Sequence, residues 1–319
     1  MKFYRSQIKT LAVMLLGLLT AVHGQNDGRE IRIETKLAAF EVTVTNAKGE
    51  PIRGLTADDF RVLEDGKERP IDFFQPIKTN ESGRPLSIVF ALDVSGSMTE
   101  MELQRLREAM KDFVNRLADY ESTFSVMSFA MEVKNIQGFT NRKERLEQAF
   151  GKLRRDQDGL STHAYDAVDQ AIREIVRKSP RSINRQFPRR AVIVITDGFP
   201  VGDVVSAQTV IERANAAETS IYSVLLPSYS RIQRDNKRII TPLEASGISE
   251  RTGGLSVVAS QSNFQAIFNS LAEELTASYA IAIYPNSDRQ DSEVKRSVKI
   301  ESKKGFTVRQ NRHSYVPEN

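Results

Sequence analysis

The 319-residue chain contains no cysteine and only three histidines. The first absence excludes disulfide staples, a thiol nucleophile and a Cys-ligated zinc, and it leaves the redox compartment undecided. The second leaves hydrolytic triads little to work with: the imidazoles are His23, His163 and His313, and His163 beside Thr162 reads as a polar rim residue. Long hydrophobic runs are also missing. The one candidate, "LAVMLLGLL" at 11–19, is too short to span a bilayer comfortably, and no second candidate follows. A large excess of one charge is missing too. The formal net charge is +4, and without Lys2, Arg5 and Lys9, which lie in a segment free of acids, it falls to +1. Nucleic-acid binding gains no support from that balance.

Those three basic residues, the short apolar core and the small residues Val22 and Gly24 read as a secretory signal over 1–24, cleaved near Gly24. An uncleaved membrane anchor is the alternative. The mature chain is expected to be secreted or periplasmic, with no transmembrane segment. Residues 31–77 alternate apolar and polar side chains, as in Phe40-Glu41-Val42-Thr43-Val44-Thr45, the period of a half-buried antiparallel sheet. Asp65-Gly66 marks a tight hairpin, and Asp58–Asp59 a capped turn. From 86 onward continuous apolar runs appear: "LSIVFAL", "FSVMSFA", "AVIVIT", "IYSVLL" and "LSVVA". Strands of that kind are buried on both faces of a mainly parallel sheet. Helical stripes lie between them, for example Leu103, Leu106, Met110, Phe113, Val114 and Leu117. "MEVKNIQGF" directly follows its neighbour strand and reads as an antiparallel edge. The fold class is α/β, a doubly wound, mainly parallel sheet whose ligand site belongs at the carboxyl ends of the strands. Alternation returns after 278, and neither flank has strands enough for a stable core alone. The flanks, 25–80 and 278–316, are therefore expected to pair into one small antiparallel β domain, 31–77 against the C-terminal strands, with 86–276 inserted.

Three loops then converge on one pole. Asp93 ends the first core strand, with Ser95 and Ser97 in the turn beyond it; Asp197 ends another strand, and Thr162 opens a helix. The turn has one glycine and no following lysine, which argues against a nucleotide-phosphate cradle. An aspartyl phosphatase needs a second carboxylate where Ser95 stands. A hard-cation site fits best, because oxygen-only donors suit Mg²⁺, with Mn²⁺ or Ca²⁺ as alternatives. Hydroxyls outnumber carboxylates, so the ion would stay underneutralised and seek an anionic oxygen from elsewhere.

Asp93-Val94-Ser95-Gly96-Ser97, with Thr162 and Asp197 downstream, resembles the metal-ion-dependent adhesion site of von Willebrand factor type A (VWA) domains over roughly 86–276. The resemblance implies that Ser95, Ser97 and Thr162 are metal ligands and that Asp93 and Asp197 anchor them largely through water. It also implies a protein partner whose exposed Asp or Glu completes the shell. "GLTADDFRVLEDGKERPIDFF" and "VRQNRHSYVPEN" resemble the flanks of exported VWA-related proteins of acidobacteria, although the ending departs from their usual Gly-Tyr-Tyr. The reading is an exported, metal-dependent, adhesion-type binding module and not an enzyme. Its rivals are a Mg²⁺-dependent hydrolase using the same Asp93 and a purely structural envelope protein.

Two basic features remain. The insert at 228–242 places Arg231, Arg234, Lys237 and Arg238 over the metal rim as partner-binding candidates. Arg173, Arg177, Lys178, Arg181, Arg185, Arg189 and Arg190 fall at the opposite pole and read as a solvated surface, with an anionic envelope surface as the alternative. "RRDQDG" at 154–159 resembles the start of a calcium loop but lacks the rest, and reads as a solvated turn.

Overall fold

Continuous apolar runs and alternating ones build different sheets in this chain. The structure is a computed structural model and describes residues 37–75, 84–96, 99–156, 162–183, 186–226, 239–259, 263–285 and 294–317; the segment read as a signal lies outside them. The N-terminal flank forms β1 (Ala38–Thr45), β2 (Phe60–Glu64), β3 (Lys67–Arg69) and β4 (Phe73–Gln75). The middle forms β5 (Leu86–Asp93), α1 (Glu100–Arg116), β6 (Thr123–Phe129), β7 (Val133–Thr140), α2 (Lys143–Lys152), α3 (Ala164–Lys178) and β8 (Arg189–Thr196). It continues with α4 (Ala207–Ala216), β9 (Thr219–Leu225), α5 (Pro242–Ala245), β10 (Ser256–Val258) and α6 (Phe264–Thr276). The C-terminal flank adds β11 (Ser278–Ile283), β12 (Arg296–Ser302), β13 (Thr307–Gln310) and β14 (Ser314–Tyr315).

The central sheet has the order β10-β9-β8-β5-β6-β7, parallel except for β7, which runs antiparallel to β6 at the edge. Every residue of β5 is buried. Its side chains alternate between two cores: Leu86, Ile88, Phe90 and Leu92 pack with α1 and α6, whereas Val89 and Ala91 pack with α3 and α4. Phe90 meets the rings of Phe113, Phe124, Phe150 and Phe268 at centroid distances of 5.7, 6.1, 6.0 and 6.4 Å. A fully buried side chain of this kind contributes about 1.5–3 kcal/mol. β5 pairs with β6, reached through α1, and with β8, which follows α3 on the other face. The winding therefore reverses at β5, and a crevice opens at its carboxyl end.

The flanks form two four-stranded antiparallel sheets, β13-β1-β11-β4 and β14-β12-β2-β3. β1 lies between β11 and β13, and β2 pairs with β12, so the N-terminal strands depend on C-terminal partners. The two sheets share one core, in which Phe40, Val42, Phe60 and Val62 meet Tyr279, Ile281, Val298 and Ile300. Asp65 and Gly66 turn β2 into β3 with φ of 48° and 80°, the left-handed pair that a tight hairpin requires.

Arg189 departs from the solvated reading of the basic cluster. It is 2% exposed. Its Nη1 donates to the carbonyls of Glu274 and Leu275 at 3.0 and 2.8 Å, at the C-terminal end of α6. Its Nη2 donates to the Tyr222 hydroxyl at 2.8 Å and reaches Thr43 Oγ1 of β1 at 3.5 Å. A guanidinium is buried here because α6 presents unsatisfied carbonyls and the negative end of its dipole. The same side chain thereby ties the central sheet, α6 and the flank together. Arg189→Leu leaves those carbonyls without donors, and a loss on the order of 3 kcal/mol is expected, read from urea unfolding. Removal of residues 278–319 takes away both neighbours of β1. Limited proteolysis should then cut within 37–75 while the α/β core persists; continued protection of 37–75 would contradict the pairing.

Candidate metal centre

Asp93 is the last residue of β5 and is 0% exposed. One carboxylate oxygen accepts the Ser95 amide at 2.9 Å and the other the Thr196 hydroxyl at 2.7 Å. The loop beyond it is pinned from two sides. Val94 donates to Phe129 O at the end of β6 at 2.9 Å, and its own carbonyl accepts the Asp156 amide at 2.7 Å. Arg155 donates to Gly96 O at 2.9 Å, and Gly96 takes φ of 92°, open to glycine without strain. Arg155 and Asp156 therefore brace this loop and are not part of a free solvated turn. Beyond the gap, Thr99 caps α1: it accepts the Glu102 amide at 3.2 Å while Glu102 accepts the Thr99 amide at 2.7 Å.

The second loop follows β8. Thr196, which donates to Asp93, also accepts the Gly198 amide at 3.1 Å, so the Asp197 turn is coupled to Asp93 through one hydroxyl. Asp197 accepts the Phe199 amide at 3.1 Å. A Cβ on Gly198 would stand 2.4 Å from Thr241 Oγ1, which makes glycine obligatory after Asp197. The third loop carries Thr162, buried and bridged to Val201 by two backbone bonds of 3.2 and 2.9 Å. The next amide, His163, donates to Ala130 O just past β6 at 3.1 Å. Asp93, Ser95, Thr162 and Asp197 thus share the pole where the winding reverses. Ser97 lies outside the described residues, as do Arg231, Arg234, Lys237 and Arg238. The described residues on either side of that insert are anchored at the Asp197 turn: Leu226 donates to Thr196 O at 2.8 Å and Leu243 to Gly198 O at 3.2 Å.

Burial raises the Asp93 carboxyl above its ordinary value, only partly countered by the Ser95 and Thr196 hydrogen bonds. Burial raises Asp197 as well, and the neighbouring Asp93 charge adds to the rise. Two carboxylates that repel each other in a half-dry crevice, beside hydroxyls and without sulfur, form a donor set suited to a hard divalent cation.

Three neighbours escaped the sequence reading: Thr196, Asp166 and Asp203. His163, read as a polar rim residue, has its Nδ1 3.0 Å from Asp166 Oδ2. The i, i+3 spacing of His163 and Asp166 at a helix start was the available signal. His163, Asp166 and Asp203 offer ligand atoms within 4.8 Å of one another. The chain's own amides already use much of that capacity: Asp166 accepts Val204 and Val205 N–H at 3.1 and 2.8 Å, and Asp203 accepts the Asp166 amide at 2.8 Å. The cluster acts as a brace that fixes the start of α3, hence Thr162, against the loop after β8.

A family model for the von Willebrand factor type A domain matches residues 87–249. The chain belongs to that family. Human Matrilin-3 is 30% identical over 152 residues, 44% of this chain and 29% of that protein. Mouse Integrin alpha-X is 28% identical over 142 residues, 43% of this chain and 12% of that protein. The chain thus spans less than a third of either relative. Among solved structures, proximal thread matrix protein 1 from the mussel byssus is similar in fold, with 17% identity and a TM-score of 0.50 over 64% of this chain and 48% of that one.

The VWA site sets a pH signature. A carboxyl whose folded-state pKa lies above its usual 3.8 makes the folded state the better proton binder, so metal-free stability falls as pH rises through that raised value. Asp93→Asn removes the contribution. Without metal at pH 7 it should melt at or above wild type, the gap closing toward acid pH. Mg²⁺ at 100 times its Kd should stabilise wild type by about 2.7 kcal/mol and leave Asp93→Asn unmoved. Thermal melts with Mg²⁺ or EDTA read both effects.

Proposed function

We propose that this chain is an exported, divalent-metal-dependent binding module that captures an acidic residue of a protein partner. The observation that carries the reading is the mutually repelling pair of buried Asp93 and half-buried Asp197 beside Ser95 and Thr162 at one pole. Ser95, Ser97 and Thr162 would hold the ion, Mg²⁺ in preference to Mn²⁺ or Ca²⁺, with Asp93 and Asp197 anchoring through water. A bound ion would supply uncompensated positive charge to a carboxylate oxygen of the partner. The chain contributes a rigid frame: β5 and β8 fix the aspartates, and the N-termini of α1 and α3 lie at the same pole, where partial positive charge favours an incoming anion. Arg231, Arg234, Lys237 and Arg238 would steer that partner toward the rim. Membership of the VWA family supports the reading, and so does the burial of Asp93. A carboxylate with no exposed surface and both oxygens hydrogen-bonded is poorly placed to attack a substrate, which disfavours the Mg²⁺-dependent hydrolase.

Export rests on residues 1–24, with Gln25 as the mature terminus, in the periplasm or outside the cell. Among the described residues no helix is long and apolar enough to cross a membrane. The test is capture from envelope extracts by immobilised residues 25–319 in Mg²⁺, followed by chelation. A protein that elutes only with chelator, and is not retained by Asp93→Asn, is expected. Asp197→Asn should weaken Mg²⁺ affinity about 10- to 100-fold by calorimetry, as loss of an outer-shell partner does. Capture that survives chelation and Asp93→Asn would place the interaction elsewhere and leave the metal a structural role.

A further inference from the structure

The ends of β5 and β8 opposite the metal loops carry a second feature, independent of the metal reading. After α3 the chain returns to β8 through 179–188, where Ile183 and Gln186 pair through two backbone bonds of 2.9 Å. Phe187, beside that pair, is 73% exposed, and Arg84 donates to its carbonyl. At their C-terminal ends, α3 and α4 flank an open groove of about 490 Å³. Ile172, Val176, Ala216 and Ala217 form its apolar wall, with arginines along the rim, and Val176 is itself 52% exposed. Arg190 donates to Ala217 O at 3.3 Å, so one end of the groove meets a guanidinium.

The charge around this apolar surface is not balanced. Asp169 is shared between Arg173 at 2.9 Å and Arg213 at 2.6 Å. Arg177 and Arg181 have no acidic partner among the described residues. Glu218, which faces Arg190, also pairs with Arg312 at 3.1 Å. Burial, and then repulsion from Arg181 and Arg84, holds the Arg190 guanidinium below its usual value despite Glu218. Exposed Phe187 and Val176, together with the guanidiniums of Arg177 and Arg181, which lack an acidic partner among the described residues, call for anionic oxygens and an apolar layer at once. Phosphate oxygens accept the guanidinium donors, and the acyl boundary beneath them receives the apolar groups. Phe187 is exposed and stands outside the lining of the groove, and a deformable layer accommodates a projecting ring where a folded partner would need a matching cavity.

We propose that this face docks on an anionic phospholipid surface, with Arg177, Arg181 and Arg190 on headgroup phosphates and Phe187 and Val176 entering the acyl boundary. The metal loops, at the other ends of the same strands, then face away from the membrane. The test is co-sedimentation of residues 25–319, which include every described residue, with vesicles of phosphatidylcholine alone or mixed with phosphatidylglycerol, in EDTA. Partitioning is expected into the mixed vesicles only, weakening as salt rises. Arg177→Ser with Arg181→Ser should lower it about 30-fold, at roughly 1 kcal/mol per basic residue near the surface. Phe187→Ser should lower it about tenfold or more. All three positions are exposed, and unchanged thermal melts will show that the variants fold. Failure of wild type to partition, or equal partitioning of wild type and variants, overturns the proposal. Binding of soluble polyglutamate without vesicle binding also overturns it and assigns the face to an acidic polypeptide.

Discussion

Asp93 has no solvent-exposed surface, and it ends a strand buried on both faces. A carboxylate in that position must be held by donors or neutralised by a cation, because it is shut off from bulk solvent. Ser95 and Thr196 supply the donors, and their identity dictates the surrounding turns. Thr196 spends one hydroxyl on Asp93 and on the Gly198 amide, so the turn bearing Asp197 cannot shift without disturbing Asp93. Arg155 and Asp156 hold the opposite side of the loop. The pole is preorganised at the cost of two carboxylates that repel each other, a cost that a divalent cation would remove.

The other pole is built differently. There the core meets a β domain in which β1 and β4 find strand partners only after the chain has passed through the whole α/β unit. Arg189 joins the pieces by satisfying the last carbonyls of α6, whose helix leads directly into β11. Burial also isolates the Tyr222 hydroxyl beside it, raising its pKa to about 12, so the hydroxyl stays a neutral acceptor of the guanidinium. Tight anchoring at this end leaves the metal loops free of the flanks.

Much of this was legible in the residues themselves. β5, β8 and β9 announce themselves as apolar runs too continuous for a half-exposed sheet, and the placement of Asp93 and Asp197 at strand ends follows from that. The alternation in β1 and the Asp65-Gly66 turn likewise mark antiparallel pairing. Arg189 was not legible, because its partners come from α6 and from β1, up to 146 residues away in sequence. A charged residue in a run of arginines reads as solvated until the helix end that receives it is known. Thr196 was hidden for a related reason: within "AVIVIT" it looks like one more β-branched strand residue, and only the neighbouring strand reveals the carboxylate it serves. The His163–Asp166 pair shows the limit of spacing, since i, i+3 brings the two together but does not say that Val204 and Val205 already claim the carboxylate.

Among the described residues two clusters compete for a cation on chemical grounds, the strand-end group around Asp93 and the brace of His163, Asp166 and Asp203. Anomalous diffraction from crystals of residues 25–319 grown with Mn²⁺ separates them directly. A single strong peak among Asp93, Ser95, Thr162 and Asp197 is predicted. A peak at His163, Asp166 and Asp203 with none at Asp93, or no peak at either, would contradict the account.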